Sequence, residues 1–160
     1  MQKENIERKK ERQILVFTLA DEELGVDISC VREVLRPQKI TPLPKAPDFI
    51  EGVINLRGYV LALVNLSRRL LSKPVEEEAT QRIIVCRIGK SMVGLSVNSL
   101  REIIVVSQED IMPTPEVVSM QMEAAVISSI AKAGQRIIPI LDVEGILTKK
   151  EVAELPALDQ

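Results

Sequence analysis

The chain has no histidine, no tryptophan and only three aromatic residues, Phe17, Phe49 and Tyr59. Without histidine, the side chain that most often moves protons at neutral pH is missing. A structural zinc site would then need clustered thiolates, and the two cysteines, Cys30 and Cys86, stand fifty-six positions apart. Both sit in apolar surroundings and read as small core residues of a reducing compartment. A disulfide between them would require a geometry that only the fold can supply. The scarcity of aromatics removes the stacking platforms of single-strand binders, and a net charge of −2 offers no basic surface for nucleic acid or an acidic membrane. Apolar runs such as Tyr59 to Val64 are too short to span a bilayer. The opening MQKENIERKKER lacks the apolar stretch of a secretory signal. The expectation is a cytoplasmic protein with no metal, no cofactor, no nucleic-acid partner and no direct membrane insertion.

What the chain does have is a repeat. Ile14 to Leu35 (ILVFTLADEELGVDISCVREVL) recurs without a gap, sixty-nine positions later, as Ile83 to Ile104 (IIVCRIGKSMVGLSVNSLREII). Five positions are identical: Ile14/Ile83, Val16/Val85, Gly25/Gly94, Arg32/Arg101 and Glu33/Glu102. Eight more exchange one aliphatic residue for another. At 160 residues, 46% of them hydrophobic, the chain is one domain's worth or two small lobes sharing a core. Two similar lobes make a groove between them, and with no catalytic constellation alongside, the repeat suggests a protein that works by holding others.

Along the chain, Met1 to Arg12 reads as a frayed tail or short exposed helix. Ile14 to Leu19 and Leu24 to Ile28 read as strands around a turn. Ile28, Val31 and Leu35 then fall at helical spacing, which predicts a short helix capped by Asp27 or Ser29 and stopped by Pro37. Arg36 to Asp48 carries four prolines and reads as a stiff extended connector. Phe49 to Leu56 and Tyr59 to Leu66 form a hairpin in which Gly58 can take positive φ, and Ser67 to Leu71 makes a helical turn. Polar Lys73 to Gln81 is the expected boundary between halves. The second half replays the first, with a longer loop at Ser107 to Met122. Ala124 to Ala131 and Gln135 to Val143 then pair around Gly134. Pro139 to Asp142 corresponds to Ala62 to Asn65 after a one-residue insertion, and Asp142 and Asn65 both cap a following helical turn. Glu144 to Leu155 is helical in character. Many short strands between turns predict a mainly β protein whose lobes curl into small barrels.

Motifs of chemistry fail on inspection. Gly89-Lys90-Ser91 resembles the end of a phosphate-binding loop, but position 84, where its first glycine belongs, is Ile84. Gly94-Leu95-Ser96-Val97-Asn98 is one glycine short of a nucleophile elbow. Glu76-Glu77-Glu78 reads as a solvated charge run. A carboxylate-based hydrolase or small-ligand-binding protein on a double barrel stays open as an alternative, to be favoured by a deep pocket lined with paired acids.

The segment Gly52-Val53-Ile54-Asn55-Leu56-Arg57-Gly58 is preceded by Pro44-x-x-Pro47-x-Phe49. Together with Gly25-Val26-Asp27-Ile28-x-x-Val31-Arg32-Glu33-Val34, it resembles the bacterial chemotaxis coupling proteins of the CheW family, over about Gln13 to Leu147. The resemblance implies two SH3-like five-stranded β-barrels packed through a shared aliphatic core: barrel 1 about 13–72, a linker at 73–81 and barrel 2 about 82–147. Strand exchange between barrels is left open, and 148–160 is a C-terminal helix or tail. It also implies a non-catalytic adaptor linking the cytoplasmic tips of methyl-accepting chemoreceptors to the regulatory domain of the histidine kinase CheA, at the inner face of the membrane within receptor arrays. An adaptor of the same kind serving a non-flagellar chemosensory pathway is the alternative.

By the same resemblance, the receptor-binding positions match Val31, Glu33, Gly52 and Arg57, and a kinase-binding patch on the second barrel includes Leu100. Each has a plainer reading beside it. Arg57 can form a surface ion pair with Glu33 or Glu51, Val31 can point into the core, and Gly52 can serve backbone geometry alone. The chain departs from the common family pattern at Ala62, often proline, and at Asn65, often aspartate.

Overall fold

The computed structural model describes residues 10–71, 79–114 and 126–153. Outside the described residues lie most of the expected N-terminal tail, the linker up to Glu78, the far part of the loop after Pro113 with the start of the following strand, and the end of the C-terminal segment.

The element order is β1 (Glu11–Leu19), β2 (Glu22–Asp27), β3 (Val31–Leu35), β4 (Ile50–Leu56), β5 (Tyr59–Asn65), α1 (Leu66–Leu71), β6 (Arg82–Ile88), β7 (Ser91–Val97), β8 (Ser99–Ser107), β9 (Ile111–Pro113), β10 (Ile127–Ala133), β11 (Arg136–Leu141) and α2 (Lys149–Ala153). The strands form two sheets. The first has the order β8-β1-β2-β11-β10-β9 and the second β3-β6-β7-β5-β4. Each sheet therefore takes strands from both copies of the repeat. The hairpin β1–β2 pairs with β8 of the second copy, and the hairpin β6–β7 pairs with β3 of the first.

The register shows that this exchange obeys an internal twofold. Val31 faces Cys86 and Glu33 faces Val85 across β3 and β6. Sixty-nine positions on, Leu100 faces Phe17 and Glu102 faces Val16 across β8 and β1. Both pairings skip one residue, Arg32 or Arg101, at a bulge. The parallel contacts repeat as well: Leu63 faces Gly94 in β5–β7, and Ile140 faces Gly25 in β11–β2. Gly94 is required there by close packing, since a Cβ would stand 2.9 Å from Ile83 Cγ2 and 3.1 Å from Leu63 Cδ1.

Three apolar clusters follow from strand alternation. On β1, Ile14 and Val16 point into the first sheet's own interior, with Val106, Ala131, Ile138 and Ile140. Leu15, Phe17 and Leu19 point the other way, into the largest cluster, which also takes Leu24, Ile84, Leu95 and Leu141. The second sheet has its own interior of Ile54, Leu61, Leu63, Ile83 and Val85. Two sheets that each enclose a cluster and share a third between them are two barrels with a common core.

Three expectations are corrected. Residues 31–35 are a strand, with only a 3-10 turn at Ile28–Cys30 before them. Helical spacing loses here because Val31 and Val34 are β-branched and β6 offers a free edge whose hydrogen bonds exceed those of a short isolated helix. Asp27 still caps the turn, accepting the Ser29 amide at 3.0 Å. Within the expected loop after Ser107, Ile111–Pro113 adds a short edge strand to β10, which gives the first sheet six strands rather than five. The C-terminal helix begins at Lys149 rather than at Glu144, where a 3-10 turn, Val143–Gly145, stands instead. Its start is fixed by a reciprocal cap in which Thr148 N donates to Glu151 Oε1 at 2.8 Å and Glu151 N donates to Thr148 Oγ1 at 3.2 Å.

Candidate functional site: a charged clasp beside an inter-barrel cleft

The hairpin between β4 and β5 turns through Arg57 and Gly58, both at positive φ (50° and 90°). That pattern matches the right-handed twist of the strands it joins. Asn55 Oδ1 accepts the Gly58 amide at 2.9 Å and fixes the loop. The turn aims the Arg57 guanidinium at Glu33. Nη1 donates to Oε1 at 3.3 Å and Nη2 to Oε2, a two-pronged pair. Of the two carboxylates open to Arg57, Glu33 is the partner. Glu51 is engaged elsewhere, by Asn65 Nδ2 and Ser96 Oγ, each at 2.9 Å. The hydrogen bonds to Glu33 and its charge raise the Arg57 pKa above its already high value. Because β3 and β4 are the outer strands of the second sheet, the pair clasps the seam of that barrel.

The first sheet carries a counterpart. Arg136, at the start of β11, donates from Nη1 to Glu102 Oε1 and from Nη2 to Glu23, 3.1 Å from Oε2. The Glu102 hydrogen bond is the main cause of its raised pKa. Nothing in the motifs marked Arg136, and the repeat was the signal: its partner Glu102 is the second copy of Glu33.

The bulge at Arg32 sends Val31 and Glu33 to opposite faces. Glu33 lies on the face of Val85, toward the clasp. Val31 lies on the face of Cys86 and packs, half-buried, against the central core. It lines a cleft of about 490 Å³ between the sheets, together with Arg12, Asp27, Cys30, Arg87 and Glu144. Asp27 is held below the usual carboxylate range there. Burial alone would raise it, but hydrogen bonds from the Ser29 amide and hydroxyl and from Arg12 outweigh burial. The Arg12 fork lies 2.7–2.8 Å from Oδ2. A depressed acid stabilises the fold above its unfolded pKa and loses that contribution as pH falls through the folded value. Asp27→Asn is therefore expected to lower the thermal midpoint near neutral pH, with the deficit shrinking as pH falls below the usual carboxylate range. A deficit independent of pH would contradict this.

Gly52 is buried and set apart from the clasp, beneath the proline segment. Leu100, the mirror of Val31, is half-buried against the central core on the other sheet. Cys86 is enclosed in that core, and burial pushes its thiol up to about 12. Cys30 is half-buried and also raised by burial. Both are free thiols. Among the described residues no helix is long and apolar enough to cross a membrane.

Comparison with known proteins gives this geometry a family. Residues 13–151 match the CheW-like domain. The chain belongs to the CheW family. It is 35% identical to the probable chemotaxis protein CheW of Rhizobium etli over 141 residues, covering 88% of this chain and 90% of that protein. Chemotaxis protein CheW of Rhizobium meliloti is likewise 35% identical, covering 88% and 90%. The crystal structure of the scaffolding protein TtCheW from Thermoanaerobacter tengcongensis superposes with a TM-score of 0.83 at 33% identity, covering 91% of this chain and 99% of that one. The barrels are thus the two SH3-like barrels of the CheW fold. As a member of the family, the protein is a chemotaxis adaptor, a scaffold rather than an enzyme, which sets aside the hydrolase alternative.

Proposed function

We propose that this adaptor couples the cytoplasmic tips of methyl-accepting chemoreceptors to the histidine kinase CheA, and that it works at the inner face of the membrane within receptor arrays. The observation that carries the reading is the Arg57–Glu33 clasp beside the Val31-lined cleft. A cleft between two barrels, with fixed charges set beside apolar Val31, Ile140 and Leu141, suits a helix whose register is set by polar contacts. The receptor hairpin occupies this side, through Val31, Glu33 and Arg57, with Gly52 holding the neighbouring backbone. The kinase occupies the pseudo-symmetric side, which includes Leu100.

Co-sedimentation of the purified protein with receptor cytoplasmic fragments and CheA tests the reading. Both partners are expected in the pellet, with receptor-dependent kinase stimulation only when the adaptor is present. Failure to bind either one overturns it. Arg57→Glu is expected to weaken receptor binding by about tenfold or more while the thermal midpoint stays nearly unchanged, because exposed ion pairs add little stability. Global unfolding of that variant would make Arg57 a structural residue instead. Leu100→Arg is expected to weaken kinase binding and spare receptor binding. The reverse pattern would exchange the two faces.

A further inference from the structure

The internal twofold permits a comparison of two sites within one molecule. Arg32 and Arg101 are the bulge residues of the two copies, each followed by a glutamate that holds a hairpin arginine. Their surroundings differ at one position. On β2, Glu23 places Oε2 3.9 Å from Arg101 Nε and 3.1 Å from Arg136 Nη2. Sixty-nine positions on, β7 has Met92, which packs against the second barrel's interior and brings no charge. The second copy links two arginines and two glutamates in a chain, Glu102 to Arg136 to Glu23 to Arg101. The first copy has the same two arginines and one glutamate.

Arg32 is the group left over. It is exposed, and among the described residues it has no ion pair and no hydrogen-bond partner. It lines the inter-barrel cleft with two other arginines that are already committed: Arg12 to Asp27, and Arg87, whose Nε donates to the Gly89 carbonyl at 3.2 Å. The cleft acids are engaged too. Asp27 holds Arg12, Asp142 accepts the Glu144 amide at 3.2 Å, and Glu144 Oε2 accepts the Gly89 amide at 3.4 Å. Of the arginines that line the cleft, Arg32 is therefore the one whose side chain has no hydrogen bond or ion pair among the described residues.

We propose that Arg32 receives a carboxylate from the receptor helix that lies in this cleft, and that Glu23 silences the equivalent Arg101. This rests on the receptor reading of the cleft. A guanidinium on a β-strand offers a planar fork to a carboxylate, which fixes the rotation of a helix about its axis as well as its affinity. Neutralising Arg101 makes the two faces electrostatically unlike, so an acidic helix that fits one is not drawn equally to the other.

The test is titration of the full-length protein with a soluble receptor cytoplasmic fragment that includes the hairpin tip, at low and physiological salt. Arg32→Gln is expected to weaken binding about five- to tenfold at low salt and to flatten the salt dependence. Met92→Glu, which supplies the first copy with the carboxylate that Glu23 supplies to the second, is expected to give a similar loss. A receptor fragment with the facing glutamate changed to glutamine should bind the parent as weakly as Arg32→Gln binds the original fragment. The two changes together should cost no more than either one. If Met92→Glu disturbs the barrel interior, Arg32→Gln and the altered fragment still decide the matter. If Arg32→Gln matches the parent in affinity and salt dependence while Arg57→Glu does not, Arg32 is a solvated surface charge and the receptor reading survives. If the parent binds no receptor fragment, the receptor reading itself fails.

Discussion

Gly52→Ala is expected to destabilise the protein by about 3–4 kcal/mol, from backbone strain and two lost hydrogen bonds. That should lower the thermal midpoint by about 8–15 °C. Gly52 has a φ of +146° at the bulge where β4 pairs Ile50 with Val64 and Gly52 with Leu63. A Cβ there would overlap the Thr41 carbonyl oxygen and stand 2.8 Å from Ile40 Cγ2. The obstacle is backbone, so no rotamer change relieves it. The proline segment must lift, breaking the bridge in which Thr41 N donates to Val53 O at 2.8 Å and Val53 N donates to Thr41 O at 2.9 Å. Receptor binding should fall with it as a secondary effect. A variant that binds weakly yet melts like the parent would make Gly52 a contact residue, contrary to this account.

Asn65→Asp is expected to cost about 3 kcal/mol at neutral pH, since it sets a buried carboxylate against that of Glu51. Asn65 is 3% exposed and uses each end of its amide differently. Nδ2 donates to Glu51 Oε1 at 2.9 Å, and Oδ1 accepts the Arg68 amide at 3.0 Å, capping α1. Aspartate preserves the cap and turns the other oxygen against Glu51. The introduced acid has its pKa raised by folding, so its penalty is full at neutral pH and is relieved as pH falls toward about 4. Thermal melts across that range should show the variant gaining on the parent with acidification. Adding Glu51→Gln should restore most of the loss at neutral pH. A constant deficit, or no rescue, would refute the clasp between these residues. The departure from the common CheW pattern at Asn65 is thereby tied to the acid at Glu51.

Much of this was readable from the residues. Many short strands between turns gave the mainly β class and the repeat gave the matched hairpins, because aliphatic alternation and glycine spacing act locally and recur. The Arg57–Glu33 pair was among the options for the same reason, since a two-residue turn has few directions in which to send its side chain. What escaped was non-local. Residues 31–35 read as helix because their strand exists only through β6, some fifty residues away. The bulge that parts Val31 from Glu33 is a property of that pairing, and no spacing rule applied to one strand can show it. Arg136 and Glu23 belong to different halves, so their meeting waits on the same exchange.

The exchange also sets an order of assembly. The second sheet draws its strands from residues between Val31 and Val97, so it can be completed while the last third of the chain is still being made. The first sheet begins with β1 yet needs β8 and β11, and β11 ends at Leu141. Until β8 is made the outer edge of β1 is unpaired, and until β11 follows Ile14 and Val16 lack Ile138 and Ile140; closing so long a loop is slow. The barrel that starts first during synthesis is the one that closes last.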